Sequence, residues 1–256
     1  MGHFQEVGVR FRWLRLTSGL ILRHMQGQDF ISGRVAVITG ISKGIGLALA
    51  QALLGRGATL VGWGRSKPEW EHERLHFVPC DVSDAPQVEA ALLETLRLVA
   101  KVDFLVNNAG FGYFSPIESF DIAQFQRMMD VNVTGAFLVT RALVPTMKAQ
   151  RSGHIVNISS IAGKVGMPQG EGYNASKFAL TGMTECLFQE LRRDGIKVTT
   201  VFPGSTATHF FDSIPGMEAN DKMLSAEELA GSILHVLDTS PNFLIREIEI
   251  RPLNSK

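Results

Sequence analysis

At 256 residues the chain is long enough for one large α/β domain with a substantial apolar core. Its 25 basic and 25 acidic residues cancel, so no net field marks it for nucleic acid or an anionic membrane surface. The two cysteines, Cys80 and Cys186, stand far apart without metal-ligand spacing, which suits buried thiols in a reducing, cytoplasmic compartment rather than a disulfide framework.

The chain opens on MGHFQEVGVRFRWLRLTSGLILRHMQGQ, where Arg10, Arg12, Arg15 and Arg23 face a single acid, Glu6. Its apolar run GLIL is too short for a signal-peptide core or a membrane span. Residues 1–28 are expected to be a poorly ordered basic extension, with Met25 a candidate start, and residues 29–256 a single domain. From Arg34 onward, short apolar runs alternate with helical patterns. RVAVIT, ATLVGW, LHFVPC, VDFLVN, HIVNIS, KVTTVF and FLIREIEI read as strands, most of them apolar throughout, as strands buried on both faces are. Between them lie GIGLALAQALLGRG, APQVEAALLETLRLVA, one long segment from Asp121 to Gln150, NASKFALTGMTECLFQELRRDG and SAEELAGSILHVLDT, all of helical length. Ser225 with Glu228, and Asp121 with Gln124, have the spacing of capping boxes. Strand then helix, repeated, predicts a doubly wound parallel sheet of about seven strands, a Rossmann fold, with ligands at the carboxyl ends of its strands.

The first such end is RVAVITGISKGIG, where Gly40, Gly44 and Gly46 follow the strand and enter a helix. Glycine permits a tight turn and close backbone approach, and a helix N-terminus offers free N–H groups to a pyrophosphate. A merely tight strand-to-helix turn uses the same residues. Further on, Tyr173 and Lys177 stand four residues apart, which places both on one helix face. Alone, that spacing also describes a solvated face with an incidental Tyr and Lys.

The glycine spacing, NNAG at Asn107 to Gly110, and YNASK at Tyr173 to Lys177 occur together and in order. With Asp81 in CDV, Asn132 in VNVTG, Ser160 in NISSIAG and PGSTAT from Pro203 to Thr208, the chain resembles the short-chain dehydrogenase/reductase family from Arg34 to about Pro252. The resemblance implies a catalytic set of Asn132, Ser160, Tyr173 and Lys177. Reducing a carbonyl by hydride transfer creates an alkoxide that needs a proton, and Tyr173 is expected to supply it. Lys177 is expected to lower the phenol's pKa and to hold the nicotinamide ribose. Ser160 would bond the substrate oxygen, Asn132 would support a relay water, and the neighbouring Ser159 would be structural. Matching positions imply that Gly40, Ser42, Lys43, Gly44, Ile45, Gly46, Arg65, Asp81, Val82, Asn108, Ala109, Gly110, Pro203, Gly204, Thr206 and Thr208 line the cofactor, together with Tyr173 and Lys177.

Cofactor type is read at the end of the second strand, where NAD enzymes usually carry an acid for the adenine ribose. Here stands Gly64, followed by Arg65, with no acid before Glu69. Arg65 and Lys43 suit a 2′-phosphate, so NADP(H) is expected, although each is also an ordinary surface charge. The family likeness places the substrate pocket among Phe111, Tyr113, Phe114, Met167, Gln169, Glu171, His209, Phe210 and Phe211, mostly apolar, which suits a hydrophobic ketone. A 3-oxoacyl thioester on acyl carrier protein is the alternative, weakened because REIEIRPLNSK lacks that group's usual glycine ending and looks more like the ending of sepiapterin reductase-like members. No metal site is expected, since His209 has no ligand cluster near it. A small-molecule carbonyl substrate and a homodimer or homotetramer are expected, with no nucleic-acid or membrane partner. A non-catalytic NADP-binding sensor or scaffold is the rival class, and the intact four-residue set argues against it.

Overall fold

The computed structural model describes residues 29–208, 210 and 219–254; the basic extension, Met25 and the pocket residues His209 and Phe211 lie outside the described residues. Seven strands form the sheet: β1 (Val35–Thr39), β2 (Thr59–Gly64), β3 (Leu75–Pro79), β4 (Phe104–Asn107), β5 (Gly153–Ile158), β6 (Ile196–Pro203) and β7 (Glu247–Ile250). Their order is β3-β2-β1-β4-β5-β6-β7, with every neighbouring pair parallel. The central strands β1, β4 and β5 are buried at every position, which is why they read as unbroken apolar runs. At one edge β7 alternates exposed and half-buried residues and turns Glu247 and Glu249 outward, charges that discourage pairing with another strand.

Parallel strands need crossovers, and the helices that make them cover both faces. On one face α1 (Gly44–Gly55) and α6 (Ala226–Leu237) pack over Ile38, Leu60, Val106 and Val156. On the other, α2 (Ala85–Leu98), α4 (Ala136–Gln150) and α5 (Glu171–Leu191) enclose Val37, Trp63, Leu105 and Ile155. The chain leaves β1 toward β2 and β3, then returns to lay β4 on β1's other side. Loops after β1 and β4 therefore run apart, and this divergence opens a crevice at the carboxyl ends of the sheet.

The long segment expected as one helix is α3 (Ile122–Met129) joined to α4 by a π-helical turn, Asp130–Gly135. Such a turn inserts a residue into the helical ladder and re-aims the side chains within it, here including Asn132. The capping box at Ser225 and Glu228 forms, with both reciprocal bonds present. That at Asp121 does not: its carboxylate accepts from Ala123 N at 2.8 Å, one residue short of Gln124. Asp84, unread in the sequence, caps α2 by accepting from Gln87 N at 3.0 Å.

Candidate active site

The loop after β1 is shaped by glycine where only glycine serves. Gly40 and Gly44 take left-handed φ of 72° and 57°. A side chain on Gly40 would press Ala109 Cα at 3.1 Å, and one on Gly46 would run into the Gly40 carbonyl and Asn108. Asn108 binds this loop to the one after β4, its Nδ2 donating to Thr39 O at 3.0 Å and Gly40 O at 3.1 Å. Thr39 returns the tie, its Oγ1 accepting from Asn108 N and Ala109 N, both at 3.0 Å. No side chain caps the start of α1 at Lys43, and no acid stands in its first turn. The helix N-terminus thus presents its backbone donors and partial positive charge above a loop in which Gly40, Gly44 and Gly46 carry no Cβ, which fits a dinucleotide pyrophosphate. Ser42 and Ile45 are half-buried around it, and Thr208 lies close enough for a Cβ on Gly44 to touch at 3.4 Å.

Other expected cofactor residues ring the same crevice. Gly110 lies against Asn132 and Lys177, since a Cβ there would sit 3.0 Å from Asn132 Oδ1 and 3.6 Å from Lys177 Nζ. Val82 packs on Gly135 of the π turn. Asp81 is engaged within the protein: it accepts from Ser83 N and Oγ, and pairs with Arg127 at 3.1 Å. Pro203 closes β6, Gly204 N donates to Ile250 O at 2.7 Å, and Thr206 Oγ1 donates to Gly204 O at 3.0 Å. Gly64 ends β2, and Arg65 and Lys43 are both exposed, neither in an ion pair among the described residues. Of the cysteines Cys80 is buried as expected, its thiol pushed up to about 11 by burial and then by Asp81 and Asp84, whereas Cys186 is exposed.

Tyr173 and Lys177 lie one turn apart near the start of α5, 8% and 5% exposed. Ser160 follows the end of β5; its Oγ accepts from Ala162 N at 3.1 Å, and its hydroxyl acts to lower the pKa of the Tyr173 phenol. Lys177 Nζ donates to Ile158 O at 2.9 Å and stands 5.7 Å from the tyrosine ring centroid. The lysine was expected to lower the phenol. Burial instead pushes Tyr173 up to about 12, opposed only by the Ser160 bond, and pulls Lys177 down to about 8. Both groups lose water in the same enclosure, so each favours its neutral form.

Asn132, carried on the π turn, is held through its side-chain amide. Its Nδ2 donates to Phe111 O at 2.9 Å and Ser176 Oγ at 3.0 Å, while Oδ1 accepts from Phe111 N at 3.1 Å. Ser176 Oγ in turn donates to Tyr173 O at 2.7 Å. With both amide hydrogens engaged, the side chain clamps the π turn to the β4 loop and to α5. Ser159 is structural as read, donating to Lys177 O at 3.2 Å and facing Thr181.

Above the phenol an apolar cluster gathers Phe111, Tyr113, Phe114, Met167 and Phe210 around Tyr173 and Met128. Phe114 and Phe210 lie nearest, with ring centroids 5.5 Å and 5.3 Å from Tyr173. Gln169 and Glu171 are exposed and stand outside this cluster. Gln169 contributes through its backbone, held at φ 62°, with its carbonyl accepting from Ser115 N at 3.0 Å.

A family model described as short chain dehydrogenase matches residues 34–219. The chain belongs to the short-chain dehydrogenase family. A farnesol dehydrogenase of Aedes aegypti is 36% identical to it over 245 residues, 89% of this chain and 99% of that protein. Among solved structures, an alcohol dehydrogenase from the archaeon Thermococcus sibiricus complexed with 5-hydroxy-NADP aligns with a TM-score of 0.79 at 28% identity, covering 88% of this chain and 99% of that one. A 3-ketoacyl-(acyl-carrier-protein) reductase from Brucella melitensis complexed with NADH aligns with a TM-score of 0.77 at 29% identity, covering 86% and 97%. This short-chain dehydrogenase is thus an oxidoreductase that uses a nicotinamide cofactor, and its two structural neighbours carry different ones.

Beneath the site of this short-chain dehydrogenase runs a buried polar network that the sequence reading did not single out. Asn107 Nδ2 donates to Thr140 Oγ1 at 2.9 Å and Asn157 Oδ1 at 2.8 Å, and Asn157 Nδ2 donates to Thr184 Oγ1 at 2.8 Å. These bonds fasten β4 and β5 to α4 and α5 directly below the catalytic side chains. The available signal was a polar residue, Thr39, Asn107 or Asn157, at the carboxyl end of an otherwise apolar run. Among the described residues no three His, Cys, Asp or Glu side chains come together to hold a metal, and no helix is long and apolar enough to cross a membrane.

Proposed function

We propose that the protein is an NADPH-dependent carbonyl reductase in which Tyr173 gives the proton and Ser160 orients the carbonyl oxygen. The observation that carries this reading is the convergence of Ser160, Tyr173 and Lys177 beside Gly110, at the crevice that holds the glycine cradle. Bound NADPH supplies the hydride. Tyr173, kept neutral by burial, holds its proton at Oη until an alkoxide forms next to it. Ser160, fixed by Ala162 N, offers its hydroxyl to the same oxygen. Lys177 would hold the ribose hydroxyls and, with its pKa pulled down only to about 8, keeps its proton at neutral pH and adds positive charge beside the phenol. Lys43 and Arg65 take the 2′-phosphate, both exposed and without an ion-pair partner among the described residues. The cluster of Phe111, Tyr113, Phe114, Met167 and Phe210 excludes water and accepts an apolar carbonyl compound.

A relative named farnesol dehydrogenase and a solved neighbour named levodione reductase support this reading. The test is NADPH oxidation followed with acetophenone, a cyclic diketone and a 3-oxoacyl thioester as substrates. Turnover of a ketone or diketone above the thioester supports the reading, and preference for the thioester moves the assignment to the acyl-carrier alternative. No turnover while NADPH binds would point instead to a sensor or scaffold.

A further inference from the structure

We infer that Asn174, the residue after the tyrosine, is a positioning residue that sets Ser160 against the Tyr173 phenol, an inference that rests on the roles proposed above for those two side chains. Asn174 is 8% exposed and points away from solvent into the loop that follows β5. Its Nδ2 spends one hydrogen on Ala162 O and the other on Val165 O, both at 2.7 Å. Ala162 is the residue whose own N–H fixes Ser160 Oγ at 3.1 Å. One peptide neighbour therefore receives both constraints: the serine hydroxyl on its nitrogen and the Asn174 amide on its oxygen.

The same loop has little other freedom. Gly163 lies so close to α5 that a Cβ there would collide with Ser159 Oγ and come within 2.9 Å of Lys177 O. On its far side Gly170 leaves room for Asn174 Oδ1, since a Cβ would come within 2.7 Å of it. The tyrosine and the clamp occupy adjacent positions of α5, so any shift of the first helical turn carries the proton donor and the serine loop together. Two short bonds, one buried and one part-buried, keep that coupling stiff, and reacting groups must be held within a fraction of an ångström. Asn174 Oδ1 itself is buried without a partner among the described residues. Leaving one acceptor unpaired is a cost that a hydrocarbon side chain would avoid, which agrees with the amide being kept for its two donors.

The test is a double-mutant cycle of N174A with S160A on the full chain, using the ketone or diketone that turns over fastest with NADPH. N174S, which keeps one donor, is measured in parallel. Expected are a loss of at least about tenfold in kcat for N174A, a smaller loss for N174S, and NADPH affinity within about twofold of the parent. In the S160A background, N174A should cost nothing further, because the serine it positions is gone. Additive losses in the cycle, an unchanged kcat, or a loss of NADPH binding matching the loss of kcat would each overturn the inference. Ser160→Ala alone reports on the proposed chemistry: if it leaves kcat intact, the reading of Ser160 fails first, whatever Asn174 does.

Discussion

Tyr173 stands in a pocket where burial, rather than the neighbouring lysine, governs its proton. A phenol pushed up to about 12 is fully protonated at neutral pH, which suits it to donate and not to accept. Ketone reduction should therefore hold level from pH 6 to about 8, above which Lys177 loses its proton, while alcohol oxidation, which needs phenolate, should climb roughly tenfold per pH unit over that range. Steady-state rates in both directions check this, and an oxidation rate that levels off below about pH 8 would mean that bound cofactor pulls the phenol down much further than the protein alone does. The pairing of Tyr173 with Lys177 was legible because four-residue spacing is a property of the helix itself. The direction of the phenol's shift was not, because spacing carries no information on how much water a pocket admits. Asn132 was likewise found by motif, but the bonds to Phe111 and Ser176 that saturate its amide depend on a π turn that no periodicity announces.

At the scale of elements, the proposed preference for NADPH rests on the end of β2. Gly64 places no carboxylate where an adenine ribose would need one, and Arg65 next to it is exposed and without an ion pair among the described residues. Charged hydrogen bonds contribute roughly 1.5–3 kcal/mol each, so NADPH should bind at least about tenfold more tightly than NADH, which requires only ~1.4 kcal/mol. Gly64→Asp with Arg65→Ser should narrow or reverse that margin, the new carboxylate repelling the phosphate and accepting ribose hydroxyls. Fluorescence titration of both variants with both cofactors checks it, and equal affinities in the unmodified chain would leave Arg65 a surface charge. Elements whose rules are local were read well: the seven strands, and the Ser225 and Glu228 box. Asp121 caps its helix as read, but its carboxylate takes Ala123 N rather than Gln124 N, a choice that only the backbone geometry of the turn makes.

Across the whole molecule the fold has two ends with different chemistry. The carboxyl end of the sheet holds the candidate site, and its position followed from strand order, since a doubly wound sheet opens where its crossovers diverge. The network of Asn107, Asn157, Thr140 and Thr184 below it was illegible, because which polar side chains meet depends on the register between strands far apart in sequence. The opposite end of the sheet buries His154 completely, its Nε2 donating to Thr199 Oγ1 at 2.8 Å while Thr199 gives its own proton to Ile245 O at 2.6 Å. Burial, with Lys197 adding to it, pulls this imidazole down to about 3 from 6.5. A depressed pKa means that the unfolded chain binds the extra proton first, so stability is fully present above pH 6.5 and is lost as pH falls toward 3. The limiting slope is ~1.4 kcal/mol per pH unit for one proton. Urea unfolding at pH 7, 5 and 4 should show that decline, and His154→Gln should flatten it.

The central claim is that Tyr173 supplies the proton in a reduction that the rest of the site only prepares. Tyr173→Phe keeps the ring that packs against Phe114 and Phe210 and removes only the hydroxyl. The deciding measurement is single-turnover NADPH oxidation by this variant with the best ketone of the panel, alongside its NADPH affinity. Affinity within about twofold of the parent and a rate lowered by at least ~1000-fold, ~4 kcal/mol in the barrier, is the predicted result. Turnover within about tenfold of the parent, with NADPH bound as before, would contradict it and assign the proton to another group.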